Sequence, residues 1–273
     1  MPKSKQTIKI GVFDSGLGGL TVLKHLLKEL PAYDYLYLGD TARVPYGSRS
    51  ADVIYRYTEE AVDFLFSKGC QLIILACNTS SSQALRRLQQ EYLPKRYPDR
   101  RILGVIIPLA QAAAHNNNIS VIGTKATISS GAYKEEILKI NKKAAVHSNS
   151  APLLVPLIEE GLAGKTATNM ILKKYLQPLK LKRIKTLILG CTHYPFVIND
   201  VRRIMGKNCE VPDPGKIIAT SLAEYLQRHP EFNTDNKSAG KREFYLTDEP
   251  KSFKVIAEKF LGSKIEHIDL IEL

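Results

Sequence analysis

Short apolar runs alternate with longer amphipathic segments along almost the whole chain. The short runs are rich in Val, Ile and Leu, which is typical of buried strands. They predict strands at residues 8–13, 35–38, 72–76, 102–106, 120–122, 187–189 and 244–246. Segments with apolar residues at helical spacing predict helices at residues 20–30, 51–67, 81–92, 167–176 and 252–260. Regular alternation of this kind predicts an α/β fold, with parallel sheets flanked by helices.

The pattern occurs twice. The segment "KIGVFDSG" at residues 9–16 is echoed by "NISVIGTK" at 118–125, and "LIILACNTSS" at 72–81 is echoed by "TLILGCTHYP" at 186–195. Ile119 follows Ile10 by 109 residues and Cys191 follows Cys77 by 114, so the two offsets nearly agree. A diverged duplication is the simplest explanation. We expect two similar lobes, residues 1–98 plus 209–273 and residues 99–208, with pseudo-symmetry and an active site in the cleft between them.

Charge and composition narrow the class of protein. The formal net charge is +12, but the basic residues occur mostly as scattered doublets and the chain has no Trp, which is more typical of solvated helices than of a nucleic-acid interface. The apolar runs are far shorter than the ~18 residues of a membrane helix, and the first residues lack the apolar core of a signal peptide. Four scattered cysteines do not suggest a disulfide framework. We therefore expect a cytoplasmic protein with no membrane or nucleic-acid partner.

Polar residues follow four of the predicted strands. Open α/β sheets bind ligands beyond the carboxyl ends of their strands, where backbone N–H groups of the following helices can hold carboxylates or phosphates. The four strand ends carry Asp14-Ser15-Gly16, "GDTARVPYG" at residues 39–47, Cys77-Asn78-Thr79 and Cys191-Thr192-His193. This edge of the molecule is therefore the predicted binding site.

Two of these strand ends carry a cysteine. A thiol beside a helix N-terminus is expected to have a pKa below its ordinary value and to act as a base or nucleophile. Cys70 and Cys209 lack comparable polar neighbours and are interpreted as small core residues. Cys77 and Cys191, at matching positions in two lobes, are expected to face each other across the cleft. One thiolate would then remove a proton from a carbon acid while the other thiol protonates the opposite face, which is a racemisation.

Six motifs occur in an order that resembles a known family. They are "GVFDSGLGGLTVL", "GDTARVPYGSRS", "ACNTSSSQAL", "GTKATISSGAY", "PLIEEG" and "LGCTHYP". In this order they resemble the bacterial glutamate racemases of the aspartate/glutamate racemase superfamily, over nearly the whole chain. The resemblance implies cofactor-independent interconversion of L-glutamate and D-glutamate, which supplies D-glutamate for peptidoglycan.

The resemblance also implies roles for individual residues. Cys77 would exchange the proton of D-glutamate and Cys191 that of L-glutamate, with Asp14 and His193 assisting their respective thiols. The implied contacts to glutamate come from Asp14, Ser15, Tyr46, Gly47, Asn78, Thr79, Thr192 and His193. Asp40 and Glu159 match acidic positions of the family's site, although Glu160 is adjacent and Asp40 is equally placed to cap the next turn. A homodimer is one open possibility for the assembly.

Other motifs were weighed as cofactor or metal sites. "GLAGKT" at residues 161–166 has Glu159 where a phosphate-binding loop requires its first glycine, and "GLGG" at 16–19 has Thr21 at the last glycine of a dinucleotide fingerprint. The Cys191-x-His193 spacing matches no structural zinc pattern. We expect neither a cofactor nor a metal. Two alternatives stay open: an aspartate racemase or related carbon-acid racemase of the same superfamily, and a basic regulatory or binding protein whose cysteines have no catalytic role.

Overall fold

The structure, a computed structural model, describes residues 7–248 and 253–273. Its strands are β1 (Lys9–Asp14), β2 (Asp34–Gly39), β3 (Leu72–Leu75), β4 (Arg101–Gly104), β5 (Asn118–Gly123), β6 (Ala145–Ser150), β7 (Thr186–Gly190), β8 (Arg242–Leu246) and β9 (Asp269–Leu270). They form a six-stranded sheet in the order β4-β3-β1-β2-β8-β9 and a three-stranded sheet in the order β6-β5-β7. All of the strand pairs are parallel.

Helices connect these strands and cover the sheets. They are α1 (Leu20–Glu29), α2 (Ala51–Ser67), α3 (Asn78–Gln83), α4 (Leu85–Arg87), α5 (Leu93–Arg96), α6 (Ile106–Ala113), α7 (Lys125–Ser129), α8 (Ala132–Ile140), α9 (Leu154–Glu159), α10 (Thr166–Leu181), α11 (Ile198–Met205), α12 (Pro214–Arg228) and α13 (Phe253–Leu261). Short 3-10 turns lie at Thr41–Arg43, Tyr46–Ser48, Tyr194–Val197 and Pro230–Phe232, and a π turn lies at Leu88–Tyr92. Within the described residues, no helix combines the length and the apolar character that crossing a bilayer would require.

The cysteine-bearing strands β3 and β7 occupy equivalent places in the two sheets. β3 and β2 flank β1 in the first sheet, as β7 and β6 flank β5 in the second. β3 and β7 are buried along their whole length, as expected for parallel strands covered on both faces. The predicted α/β class and the two similar, pseudo-symmetric halves are therefore confirmed.

The differences from the predicted elements have physical causes. β6, "AVHSNS", was not predicted because it is a partly exposed edge strand without an apolar run, and β9 is only two residues long. The helix predicted at 81–92 starts earlier, at Asn78, and is interrupted near Ala84 and by the π turn. The first helical element after β7 is the 3-10 turn at Tyr194–Val197 rather than an α-helix. The predicted start of the last helix, Ser252, lies outside the described residues.

The C-terminal part of the chain returns to the first sheet, where β8 pairs with β2. We propose one lobe around the six-stranded sheet and a second lobe around the three-stranded sheet. Pairing with β3 places β4 in the first sheet, although the boundary predicted between residues 98 and 99 assigns it to the second lobe. Each of the other strands lies in the lobe to which the predicted boundaries assign it.

Two leucines of α10 provide a test of this packing. Leu176 is fully buried, whereas the side chain of Leu181 is 74% exposed. Leu176→Ala should lower the free energy of unfolding by about 2–5 kcal/mol, because it removes buried methyl groups and leaves a cavity. Leu181→Ala, in the same helix, should change it by no more than about 0.5 kcal/mol. Denaturant titration measures both values, and equal losses would contradict the position of α10.

Candidate active site

A cavity of about 330 Å³ lies where the carboxyl ends of the two sheets face each other. This volume suits a small ligand. The predicted residues that line it are Ser15, Tyr46, Gly47, Cys77, Asn78, Thr79, Glu159, Cys191, Thr192 and His193. Asp14 and Asp40 are fully buried and are not among the lining residues. Within the described residues, no three His, Cys, Asp or Glu side chains are grouped to hold a metal ion.

Cys77 follows β3 and precedes the first residue of α3. Its side chain is buried, and its thiol donates to the hydroxyl of Ser15 over 3.6 Å. Burial and, to a smaller extent, the charge of Asp14 raise the pKa of Cys77 to about 11, while hydrogen bonds with Ser80 and Ser15 oppose the shift. The expectation of a lowered thiol pKa was therefore wrong for Cys77, because loss of hydration outweighs the favourable contacts. Near neutral pH this thiol is protonated.

Cys191 has a different set of neighbours. Its sulfur lies 4.0 Å from Nδ1 of His193, and Nε2 of His193 lies 3.0 Å from Oε1 of Glu159. Burial disfavours the charged imidazole, but the hydrogen bonds with Cys191 and Glu159 prevail and raise the pKa of His193 to about 10. His193 is therefore an imidazolium at neutral pH. This positive charge lies beside the sulfur of Cys191.

Asp14 lies behind the cavity wall at the end of β1. Its carboxylate accepts hydrogen bonds from the Gly16 N–H over 3.0 Å and from the Thr192 hydroxyl over 3.1 Å. Burial raises the pKa of Asp14, whereas the charge of His193 and these hydrogen bonds oppose the shift. Since Thr192 follows β7, Asp14 joins the two lobes directly beside the cavity.

The "GLGG" segment allows this close approach. A Cβ atom on Gly18 would lie 2.3 Å from Oγ1 of Thr192, and one on Gly19 would lie 2.4 Å from Cβ of Asp14. A side chain at Gly18 would displace Thr192, which lines the cavity, and one at Gly19 would displace Asp14 behind the cavity wall. The glycines thus bring the backbone against the site.

Asp40 supports the cavity wall from behind. Its carboxylate accepts hydrogen bonds from the hydroxyl of Tyr46, from Nε of Arg43 over 2.7 Å and from the hydroxyl of Thr247 over 2.9 Å. Its side chain makes no capping hydrogen bond to the turn at Thr41–Arg43. The structure thus places Asp40 under Tyr46, a lining residue, rather than against the cavity.

The sequence reasoning missed several residues of the second lobe. Thr124, Lys125, Pro152, Val155 and Pro156 also line the cavity. The hydroxyl of Thr79 lies 3.0 Å from that of Thr124 and 3.3 Å from that of Thr127, which makes a contact between the lobes. The repeat contained the necessary signal, because aligning "NISVIGTK" with "KIGVFDSG" places Thr124 opposite Ser15.

Comparison with known proteins gives a consistent result over the full chain. The model of the Asp/Glu/Hydantoin racemase family matches residues 10–222. A glutamate racemase from Persephonella marina is 42% identical over 269 residues, covering 97% of this chain and 98% of the relative. The crystal structure of glutamate racemase from Francisella tularensis in complex with D-glutamate has a TM-score of 0.89 at 34% identity, covering 97% of this chain and 98% of that one. The RacE1 isoform from Bacillus anthracis has a TM-score of 0.91 at 34% identity, covering 99% of both chains.

Glu159→Gln tests the charge on His193. A group whose pKa is higher in the folded state than in the unfolded state stabilises the fold. This contribution to stability is complete at pH values below the unfolded pKa, about 6.5 for histidine, and it disappears as the pH rises through the folded pKa. In the wild type this loss should extend to a pH of about 10. Because the glutamine removes a negative acceptor, the imidazole of the variant should titrate at lower pH in magnetic resonance spectra.

The neighbouring Glu160 provides the matched control. It is exposed, and its side chain has no ion pair or hydrogen bond within residues 7–248 and 253–273. Glu160→Gln should leave the titration of His193 unchanged. An equal titration pH in the wild type and in Glu159→Gln would show that the carboxylate of Glu159 does not support the imidazolium.

Proposed function

Because the chain belongs to the Asp/Glu/hydantoin racemase family, we propose that its cleft interconverts L-glutamate and D-glutamate by proton transfer at the α-carbon. The observation that carries this proposal is one small cavity lined by two thiols, Cys77 and Cys191, at equivalent strand ends of two similar sheets. The enzyme supplies D-glutamate for peptidoglycan. The full-length match to glutamate racemases favours glutamate over aspartate as the substrate.

In the L-to-D direction, the thiolate of Cys191 removes the α-proton of L-glutamate. The C–H bond breaks, an S–H bond forms on Cys191, and the electron pair stays on the substrate. Cys77 is protonated at neutral pH because its pKa is about 11, and its proton passes to the opposite face of the carbon. The new C–H bond inverts the stereocentre, and Cys77 is left as the thiolate. His193 assists by holding a positive charge beside Cys191.

In the reverse direction the thiols exchange roles. The thiolate of Cys77 removes the α-proton of D-glutamate, and the thiol of Cys191 protonates the other face. The charge of Asp14 raises the pKa of Cys77 beyond the effect of burial, so the thiolate is a strong base once it forms. Asp14 therefore assists Cys77 as His193 assists Cys191, but with a charge of the opposite sign.

Polar groups around the cavity stabilise the charge that develops on the substrate. Deprotonation moves electron density from the α-carbon into the adjacent carboxylate, where fixed hydrogen-bond donors are most effective. Asn78, Thr79 and Thr124 offer such donors on the cavity wall. Lys125 adds a positive charge at the same wall, which suits a substrate with two carboxylates. This chemistry uses only groups of the chain and of the substrate.

Two finer expectations accompany this function: a cytoplasmic location, where the amino-acid substrate is available, and a homodimeric assembly. Exposed apolar side chains such as Ile107, Leu153 and Met170 offer surface for self-association. Sedimentation of the purified protein tests the assembly.

Serine variants of the four cysteines test the assignment of the bases. Cys77→Ser and Cys191→Ser should each lower kcat for glutamate racemisation by about a hundred- to ten-thousand-fold, because a serine hydroxyl supplies far less conjugate base than a thiol. Circular dichroism of the amino acid measures the rates without added cofactor. The wild type should racemise glutamate and leave L-aspartate unchanged.

Cys70→Ser and Cys209→Ser are the controls. Both thiols are buried away from the cavity, so these variants should alter stability more than turnover. Comparable racemisation of L-aspartate would favour the broader carbon-acid racemase. No optical change with either amino acid would favour the binding-protein alternative.

Heavy water tests the opposed geometry of the thiols. With L-glutamate as substrate, the first D-glutamate should carry deuterium at the α-carbon. The hydrogen added to this carbon comes from a thiol whose proton has already been replaced by deuterium from the solvent. The remaining L-glutamate should still hold its original proton, and the reaction from D-glutamate should mirror this result. Magnetic resonance of the α-proton measures both pools during the first few per cent of turnover.

A single base would give a different distribution. It would return the proton it had removed to either face, so undeuterated product would accumulate early. That outcome would refute two opposed thiols even if both cysteines proved essential.

A further inference from the structure

Tyr133 links the two lobes beside the cavity. It lies in α8, in the second lobe, and its side chain is buried. Its hydroxyl donates a hydrogen bond of 2.5 Å to Oδ1 of Asn78, a residue of the first lobe. Asn78 directly follows Cys77 and lines the cavity. The tyrosine thus reaches across the cleft to the residue next to one of the two bases.

In this hydrogen bond the Asn78 amide has its oxygen toward Tyr133. An amide group has one oxygen, which accepts, and one NH₂ group, which donates. Tyr133 occupies the oxygen, and Nδ2 has no hydrogen-bond partner within the part of the chain that the structure describes. The free donor is therefore available to a carboxylate in the cavity. In the opposite orientation the amide would present its oxygen to the substrate and repel it.

The ring of Tyr133 lies against the segment that carries the other base. Gly190 directly precedes Cys191, and a Cβ atom on Gly190 would lie 3.1 Å from Cε2 of Tyr133. Burial raises the pKa of Tyr133 far above its ordinary value, and the charge of Cys191 raises it further. The hydroxyl therefore remains a donor throughout the working pH range. One side chain contacts the neighbours of both cysteines.

We propose that Tyr133 is a positioning residue for the reaction: its hydroxyl holds the Asn78 amide with Nδ2 toward the substrate carboxylate, and its ring spaces the segments that carry Cys77 and Cys191. The inference rests on the proposed racemase function. A tyrosine that only filled the core would also stabilise the fold. It would not control how well glutamate binds, and it would not act through Asn78.

A double-mutant cycle separates the two roles. Tyr133→Phe keeps the ring and removes the hydroxyl, so KM for glutamate should rise about tenfold, the usual cost of an unpaired buried polar group. Because the ring still spaces the two segments, kcat should change by less than about threefold. Once Asn78→Ala has removed the amide, adding Tyr133→Phe should produce no further rise in KM. Since the two enantiomers are equally stable, kcat/KM should fall equally in both directions.

Tyr35→Phe provides the matched control. Tyr35 is also a buried tyrosine, and its hydroxyl donates to the backbone carbonyl of Leu30 over 3.2 Å, away from the cavity. Loss of the Tyr35 hydroxyl should lower stability and leave KM unchanged.

Asn78→Asp tests the amide orientation without altering Tyr133, since it keeps an acceptor for the hydroxyl and places a carboxylate oxygen where Nδ2 stood. Its KM should exceed that of Asn78→Ala.

The outcomes distinguish failure of this inference from failure of the function. If the wild type does not racemise glutamate, the proposed function is overturned and the inference with it. If the wild type is active, the positioning role is overturned when Tyr133→Phe has the same KM as the wild type. It is also overturned when Tyr133→Phe raises KM further in the Asn78→Ala background. If Tyr133→Phe does not fold, the comparison of Asn78→Asp with Asn78→Ala decides, and a KM no higher for the aspartate variant overturns the proposed orientation.

Discussion

In the proposed reaction, two thiols must face opposite sides of one carbon atom, and the rest of the structure is arranged around this constraint. A single sheet presents its strand ends along one edge, so it cannot place two groups on both faces of a small substrate. Two sheets provide the opposition through their pseudo-symmetry, because the cysteine-bearing strands β3 and β7 flank the equivalent strands β1 and β5. The contacts between the lobes then set the distance between the two thiols. Asp14 with Thr192, Thr79 with Thr124, and Asn78 with Tyr133 do this at different points around the cavity.

The backbone symmetry does not extend to the electrostatics. Cys77 lies near the buried carboxylate of Asp14 and is held protonated, whereas Cys191 lies beside an imidazolium that Glu159 supports. One thiol is thus held protonated near a carboxylate, and the other lies beside a positive charge. The two halves of the site therefore differ in charge although their cysteine-bearing strands occupy equivalent places.

Much of this organisation was predictable from the sequence, because it rests on local patterns. The apolar runs of β1, β3 and β7 and the polar residues after them predicted the fold class, the repeat and the presence of both cysteines at the cavity. β6 was missed because an exposed edge strand has no continuous apolar run. The raised pKa of Cys77 was missed because burial is a property of the assembled lobes. The contact of Tyr133 with Asn78 was also not predicted, because nothing in the helix that carries Tyr133 indicates a partner 55 residues away.

The return of β8 to the first sheet has a consequence for biosynthesis. β2 cannot gain its second neighbour until β8 has been translated, about two hundred residues later. The same returning segment supplies Thr247, whose hydroxyl binds Asp40 beneath Tyr46. A nascent chain that ends before this segment can form the three-stranded sheet of the second lobe but lacks the support of the cavity wall. Racemase activity should therefore appear only after the segment that carries β8 and Thr247 has left the ribosome.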